Sequence, residues 1–177
     1  MQHRRKPSLH HRHVGRHDGC DARSGGPASK ATRVRFPVRT DTDATFRVLI
    51  SPTPVVGPDR KNKNDNHANA GFTHEGDEVR AFLASQKNLY VVCGDRHWQY
   101  VSVDPKTGVR EYACGPTSNK HAGGWKNEYR SPMHKYLNVQ GGFLRVEVAQ
   151  PDDKPQLSFR HYDVDGNIAN EEVRQVD

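Results

Sequence analysis

Two stretches hold side chains whose types and spacing suit shared chemistry. In residues 87–98, KNLYVVCGDRHW, an acid and an imidazole, Asp95 and His97, stand two apart just past an apolar run. If the extended backbone continues, both side chains leave on the same side, and one metal ion or one phosphate can meet both. A carboxylate and a neutral imidazole are ordinary ligands for zinc, iron or manganese. The bland alternative is a turn-capping Asp95 and a half-buried, packing His97. The second stretch, residues 59–69 (DRKNKNDNHAN), is polar, irregular and too long for a simple turn. Loops of this kind often line sites. Asp65, Asn66 and His67 suit a metal or a phosphate there, while Asx-turn chemistry accounts for Asn64 to Asn66 with no ligand at all. Arg96 joins the candidates for a phosphate-facing loop. So does His121, in the glycine-rich run 115–125 (GPTSNKHAGGW), which lacks the G-x-x-x-x-G-K-[ST] order of a nucleotide loop. His121 and Trp125 are therefore either site walls or surface features.

The elements that must position these residues follow from local pattern. Leu89, Tyr90, Val91 and Val92, closed by Gly94, read as a central strand covered on both faces. Open α/β sheets place their sites at the ends of such strands. Upstream, residues 45–50 (TFRVLI) read as a strand and 51–58 (SPTPVVGP) as a proline-punctuated loop. A helix is expected over 75–85, with Val79, Phe82 and Leu83 on its apolar face and Glu75, Asp77 and Glu78 at its positive end. Strand, loop, helix and strand make a βαβ unit with a right-handed crossover. Residues 99–104 and 109–114 then flank the turn PKTG, an antiparallel hairpin. A second hairpin pairs 143–149 with 156–162. The turn DVDG at 163–166 falls short of a calcium loop. The fold class is α/β, or more fully α+β: a layered sheet unit followed by antiparallel hairpins.

Composition divides the chain. Of 177 residues 33% are apolar and mean hydropathy is −0.95, low for a chain packed throughout. Residues 1–40 carry ten Lys/Arg against two Asp, a charge of +8; from Asp41 onward there are 17 against 19, a charge of −2. The basic character is thus local, and the folded part offers no stripe for a nucleic-acid backbone. Residues 1–43, with five of the eleven histidines and no apolar period, are expected to be a disordered basic tail. Other readings are a metal-binding or anion-binding arm, or sequence from outside the native reading frame. The folded domain is expected over 44–177. Three widely spaced cysteines make neither a zinc ribbon nor a disulfide framework. No signal peptide or membrane span is legible, which leaves the compartment open.

The run from Ser51 through Trp125, with SPTPVVGPDRKNKNDNHANAGF, CGDRHWQY, REYACGP and HAGGW, and the later HYDVDG, resembles the C-terminal part of PhoD-like (alkaline phosphatase D-like) proteins of the calcineurin-like metallophosphoesterase superfamily. The resemblance covers residues 44–177. It implies an incomplete metallophosphoesterase-type fold, two β-sheets flanked by helices, that hydrolyses phosphate esters with a metal-activated water at two divalent ions. It carries over Asp95 and His97 as metal ligands, their G-D-x-H segment standing where many relatives have G-H-x-H. It carries over Asp65 to Asn69 as the loop beside the phosphate. The superfamily's upstream D-x-H, G-D and G-N-H segments are absent, so the expectation is a fragment or truncated hydrolase with little activity alone. The alternative is a non-catalytic domain acting as an interaction module, or binding metal or anions through its His/Arg-rich tail.

Overall fold

The computed structural model describes residues 43–58, 63, 65–126 and 131–176, all within the unit Pro37–Asp177. The expected basic tail lies outside the described residues apart from Asp43, as does Asn64. Strands β1 (Arg47–Ser51), β2 (Leu89–Cys93), β3 (Gln99–Val103), β4 (Arg110–Ala113) and β5 (His134–Asn138) form one sheet in the order β1-β2-β4-β3-β5. The pairs β1/β2 and β2/β4 are parallel, while β3 is antiparallel to β4 and β5. Strands β6 (Gly142–Ala149), β7 (Gln156–Asp163) and β8 (Ile168–Gln175) make a separate antiparallel sheet. Helix α1 (Thr73–Ala84) links β1 to β2 as the βαβ pattern requires. The described residues thus form a mixed α/β domain of two sheets and one α-helix.

Side-chain alternation sorts the core into two layers. Val91 faces α1 and its loop, packing with Val55, Val56, Val79, Leu83 and Val109. On the opposite face Val101 and Tyr112 meet Leu157 and Phe159 of the second sheet. Tyr112 stacks on Phe159 with ring centroids 3.8 Å apart and planes 4° apart. Polar groups also join the sheets: Gln99 donates from Nε2 to the Tyr162 carbonyl at 2.8 Å, and Glu172 accepts from Arg110 and from the Tyr112 hydroxyl.

Several expectations shift. β4, not β2, lies mid-sheet, and Gln99–Ser102 of β3 are all buried. Phe82 is 42% exposed, because the buried stripe of α1 runs through Gly76, Val79 and Leu83. Strands β5 and β8 were not anticipated. β1 is an edge strand whose Ile50 is 79% exposed.

His161 is fully buried between the sheets, its Nε2 donating to the Ala113 carbonyl at 3.0 Å, beside the rings of Tyr136 and Tyr112. Burial pulls its pKa down to about 4 from the ordinary 6.5. The folded state therefore resists protonation that the unfolded chain accepts. Stability from this group is present above about pH 6.5 and is lost as pH falls towards 4. The slope is about 1.4 kcal/mol per pH unit and the total about 3 kcal/mol. Urea unfolding of wild type and His161→Phe between pH 7 and 4.5 is expected to show the variant lacking this decline; parallel curves would contradict it.

Candidate functional site

The parallel strands β1, β2 and β4 all end on one side, and the loops 52–58, 94–98 and 114–126 leave from there, the carboxyl edge where α/β sheets place ligands. The first loop is fastened from below. Glu111, fully buried on β4, accepts at Oε2 from the amides of Val55 (2.6 Å) and Val56 (3.1 Å). Its Oε1 accepts from the Gly57 amide and the Tyr100 hydroxyl, both at 2.7 Å. Gly57 has no alternative, since a Cβ there would lie 2.2 Å from the Tyr100 oxygen.

The second loop carries the acid and the imidazole. Asp95 has φ 67°, and the Arg96 amide donates to the Gly94 carbonyl at 2.9 Å. This is a γ-turn of the positive-φ kind, a rare and strained conformation that aspartate tolerates better than most residues. The turn leaves Asp95 and His97 exposed while Arg96 points inward, 5% exposed. The guanidinium of Arg96 lies 5.7 Å from the Trp98 ring centroid and its Nη1 is 3.7 Å from the Asp95 carboxylate. Trp98 packs edge-on against Trp125, centroids 5.4 Å apart. The third loop joins here, its Gly123 amide donating to the His97 carbonyl at 3.1 Å. Gly124, at φ 76°, brings bare backbone close to the Trp98 ring.

Together these segments enclose a cleft of about 290 Å³ lined by Asp95, Arg96, His97 and Trp98, the glycines 123 and 124, and Lys63. That volume lies near the small end of ligand sites. Lys63 donates to Asp65 at 2.9 Å, and this bond is the main cause of the lowered Asp65 pKa.

The structure therefore brings Asp95, Arg96 and His97 together, with Asp65 bonded to a lining residue. Asn66 and His67 are occupied otherwise. Buried Asn66 accepts from the Ala68 amide at Oδ1 and from the Asn69 amide at its carbonyl, the Asx-turn arrangement. The His67 ring stands 3.9 Å from the Glu75 carboxylate, outside the cleft lining, and its carbonyl accepts from Arg80. His121 sits on the exposed turn Asn119–His121 and does not line the cleft. Lys63 and Trp98 also line the cleft, though neither is among the sequence candidates. Trp98 was legible as the residue closing GDRHW; nothing local marks Lys63 among its polar neighbours.

The donor set tests the two-metal expectation. Among the described residues no group of three or more His, Cys, Asp or Glu side chains is placed to hold a metal ion. Asp95 and His97 stand beside two cations, and two donors in that company do not hold a pair of divalent ions. Among the described residues no helix is long and apolar enough to cross a membrane.

No family model matches the sequence, and no curated protein does. Among solved structures, one described as "Structure of PhoD" is similar over 76% of this chain, at 16% identity and a TM-score of 0.48. The match spans 30% of that structure's length.

Proposed function

We propose that residues 44–177 form the phosphate-facing wall of a phosphoesterase-type cleft, and that the chain is the carboxyl-terminal portion of such a domain. The observation that carries this reading is the inward-turned Arg96 guanidinium, set in one cleft with Lys63 and His97. A planar, fork-shaped cation suits two phosphate oxygens at once, and an ammonium adds charge without geometric demand. Glycines 123 and 124 present no side chains where an ester would lie. The sequence resemblance of GDRHW and DNHAN to phosphatase segments points the same way. In a complete site Asp95 and His97 would contribute one carboxylate and one imidazole towards divalent ions. With two donors here, the hydrolytic step is not assigned to this chain; its residues bind and orient the ester.

Both tryptophans of the protein stand at or beside the cleft, so intrinsic fluorescence reports on it. Titration with inorganic phosphate and with p-nitrophenyl phosphate is expected to show saturable binding without added metal. Arg96→Ala should weaken it by about tenfold, the loss of one charge-assisted contact. Asp95→Asn removes a like charge and should tighten binding by about two- to fivefold. Binding that requires added manganese or zinc and is abolished by Asp95→Asn would instead make these residues metal ligands first. Rapid, chelator-sensitive hydrolysis by the 177-residue chain alone would refute the partial-site reading.

A further inference from the structure

The cleft's cationic wall is assembled from segments far apart in sequence, and one side chain on α1 ties two of them together. Arg80 donates from the same nitrogen, Nη1, to the Val55 carbonyl at 2.8 Å and to the His67 carbonyl at 2.9 Å. Its Nη2 is anchored on Asp77 at 2.6 Å. The two carbonyls therefore lie within a few ångströms of each other, although eleven residues separate them in the chain. The helix is shaped to receive this contact. At Gly76, one turn before Arg80, a Cβ would lie 2.2 Å from the His67 carbonyl oxygen, so only glycine lets the turn approach α1.

Val55 is held on its other side by Glu111, and His67 belongs to the turn Asp65–Asn69 that starts with the partner of Lys63. We infer that Arg80 is a positioning residue: by fixing the Val55 and His67 carbonyls against α1, it holds Asp65, and through it the cleft-lining Lys63, and sets the cleft's affinity for phosphate without touching the ligand. The inference rests on the phosphate-binding reading of the cleft. Arginine is suited to the task because one planar guanidinium can meet two carbonyls and a carboxylate together. Lysine, with a single nitrogen, lacks that fixed fork.

The test compares Arg80→Ala, Arg80→Lys, Lys63→Ala and the double variant Arg80→Ala/Lys63→Ala in the full chain, by phosphate titration and by amide hydrogen exchange. Arg80→Ala is expected to weaken phosphate binding by about as much as Lys63→Ala, several-fold in each case, with Arg80→Lys in between. The double variant should bind no more weakly than Lys63→Ala alone, since a residue acting through Lys63 has nothing left to position. A merely structural effect would instead add to the loss of Lys63. The Ala68 and Asn69 amides, both bonded to Asn66, should exchange faster in Arg80→Ala while the amides in the last turn of α1 keep their protection. Fully additive losses would overturn the inference, as would Lys63→Ala weakening binding while Arg80→Ala does not. If wild type binds no phosphate, the reading of the cleft fails separately. Unchanged exchange at Ala68 and Asn69 then overturns the latch on its own, and faster exchange there supports it.

Discussion

Replacing Val91 with aspartate is expected to remove a large part of the domain's stability at neutral pH. Val91 has no exposed surface and packs among Val55, Val56, Val79 and Leu83, so a carboxylate there finds neither water nor a donor. Its cross-strand partner in the parallel β2/β4 pair is Glu111, whose side chain leaves on the same face. The new carboxylate would stand beside a buried one, adding repulsion between like charges to the cost of desolvation. The change removes apolar packing as well, and the sum is on the order of 4–6 kcal/mol against a typical total stability of about 5–15 kcal/mol. Val91→Thr nearly preserves shape and carries no charge, so it should cost about 1–2 kcal/mol and stay folded. Circular dichroism melts and urea titrations separate the two. A Val91→Asp protein that unfolds cooperatively within 1 kcal/mol of wild type would show this strand packed differently.

Val91 could be picked out of the sequence because β2 is an interior strand with one face buried and the other half-buried, and such strands are written as unbroken apolar runs. The βαβ unit and both hairpins were legible for related reasons: turn residues at PKTG, alternation in 156–162, and a helical period in α1. β8 hid because its inward-facing residues are polar. Asn170, Glu172 and Arg174 stand where an apolar alternation would ordinarily show, and Glu172 meets Arg110 and Tyr112 across the sheets. β5, HKYLN, is short and pairs only with β3, so its pattern carries little signal. At the site, the D-x-H spacing drew attention to Asp95 and His97, and the structure places both at one cleft. The backbone there is a γ-turn rather than the extended chain the spacing assumes, yet both put Arg96 on the side opposite its two exposed neighbours. Asn66 was legible in a different way. Its type suited either a ligand or an Asx turn, and its hydrogen bonds build the turn. Arg80 and Glu111 were invisible as organisers, since each acts on carbonyls or amides tens of residues away and backbone groups leave no mark on sequence.

Glu111 is where fold and site depend on the same atoms, and its removal is expected to cost nearly as much as the Val91 change. Four donors converge on its carboxylate: the amides of residues 55, 56 and 57 and the Tyr100 hydroxyl. All four lie in buried residues, so Glu111→Leu would strand them away from water. One unsatisfied buried donor costs about 1–3 kcal/mol, and partial relaxation keeps four from adding fully, which puts the expected loss at roughly 3–5 kcal/mol. Glu111→Gln is the informative companion. Its single carbonyl oxygen satisfies one pair of donors, while its amide faces the other. Placed towards Tyr100, the amide can donate to the hydroxyl oxygen, leaving chiefly the Gly57 amide unmet, for about 1–3 kcal/mol. The glutamine variant should therefore fold, with faster amide exchange at residues 55–57 and weaker phosphate binding, because the 52–58 loop leads towards Lys63. The leucine variant should unfold at a clearly lower urea concentration than the glutamine variant. Equal stabilities for wild type and Glu111→Leu in urea titrations would mean that the loop is not fastened through this carboxylate, and that β4 and the cleft are not linked by it.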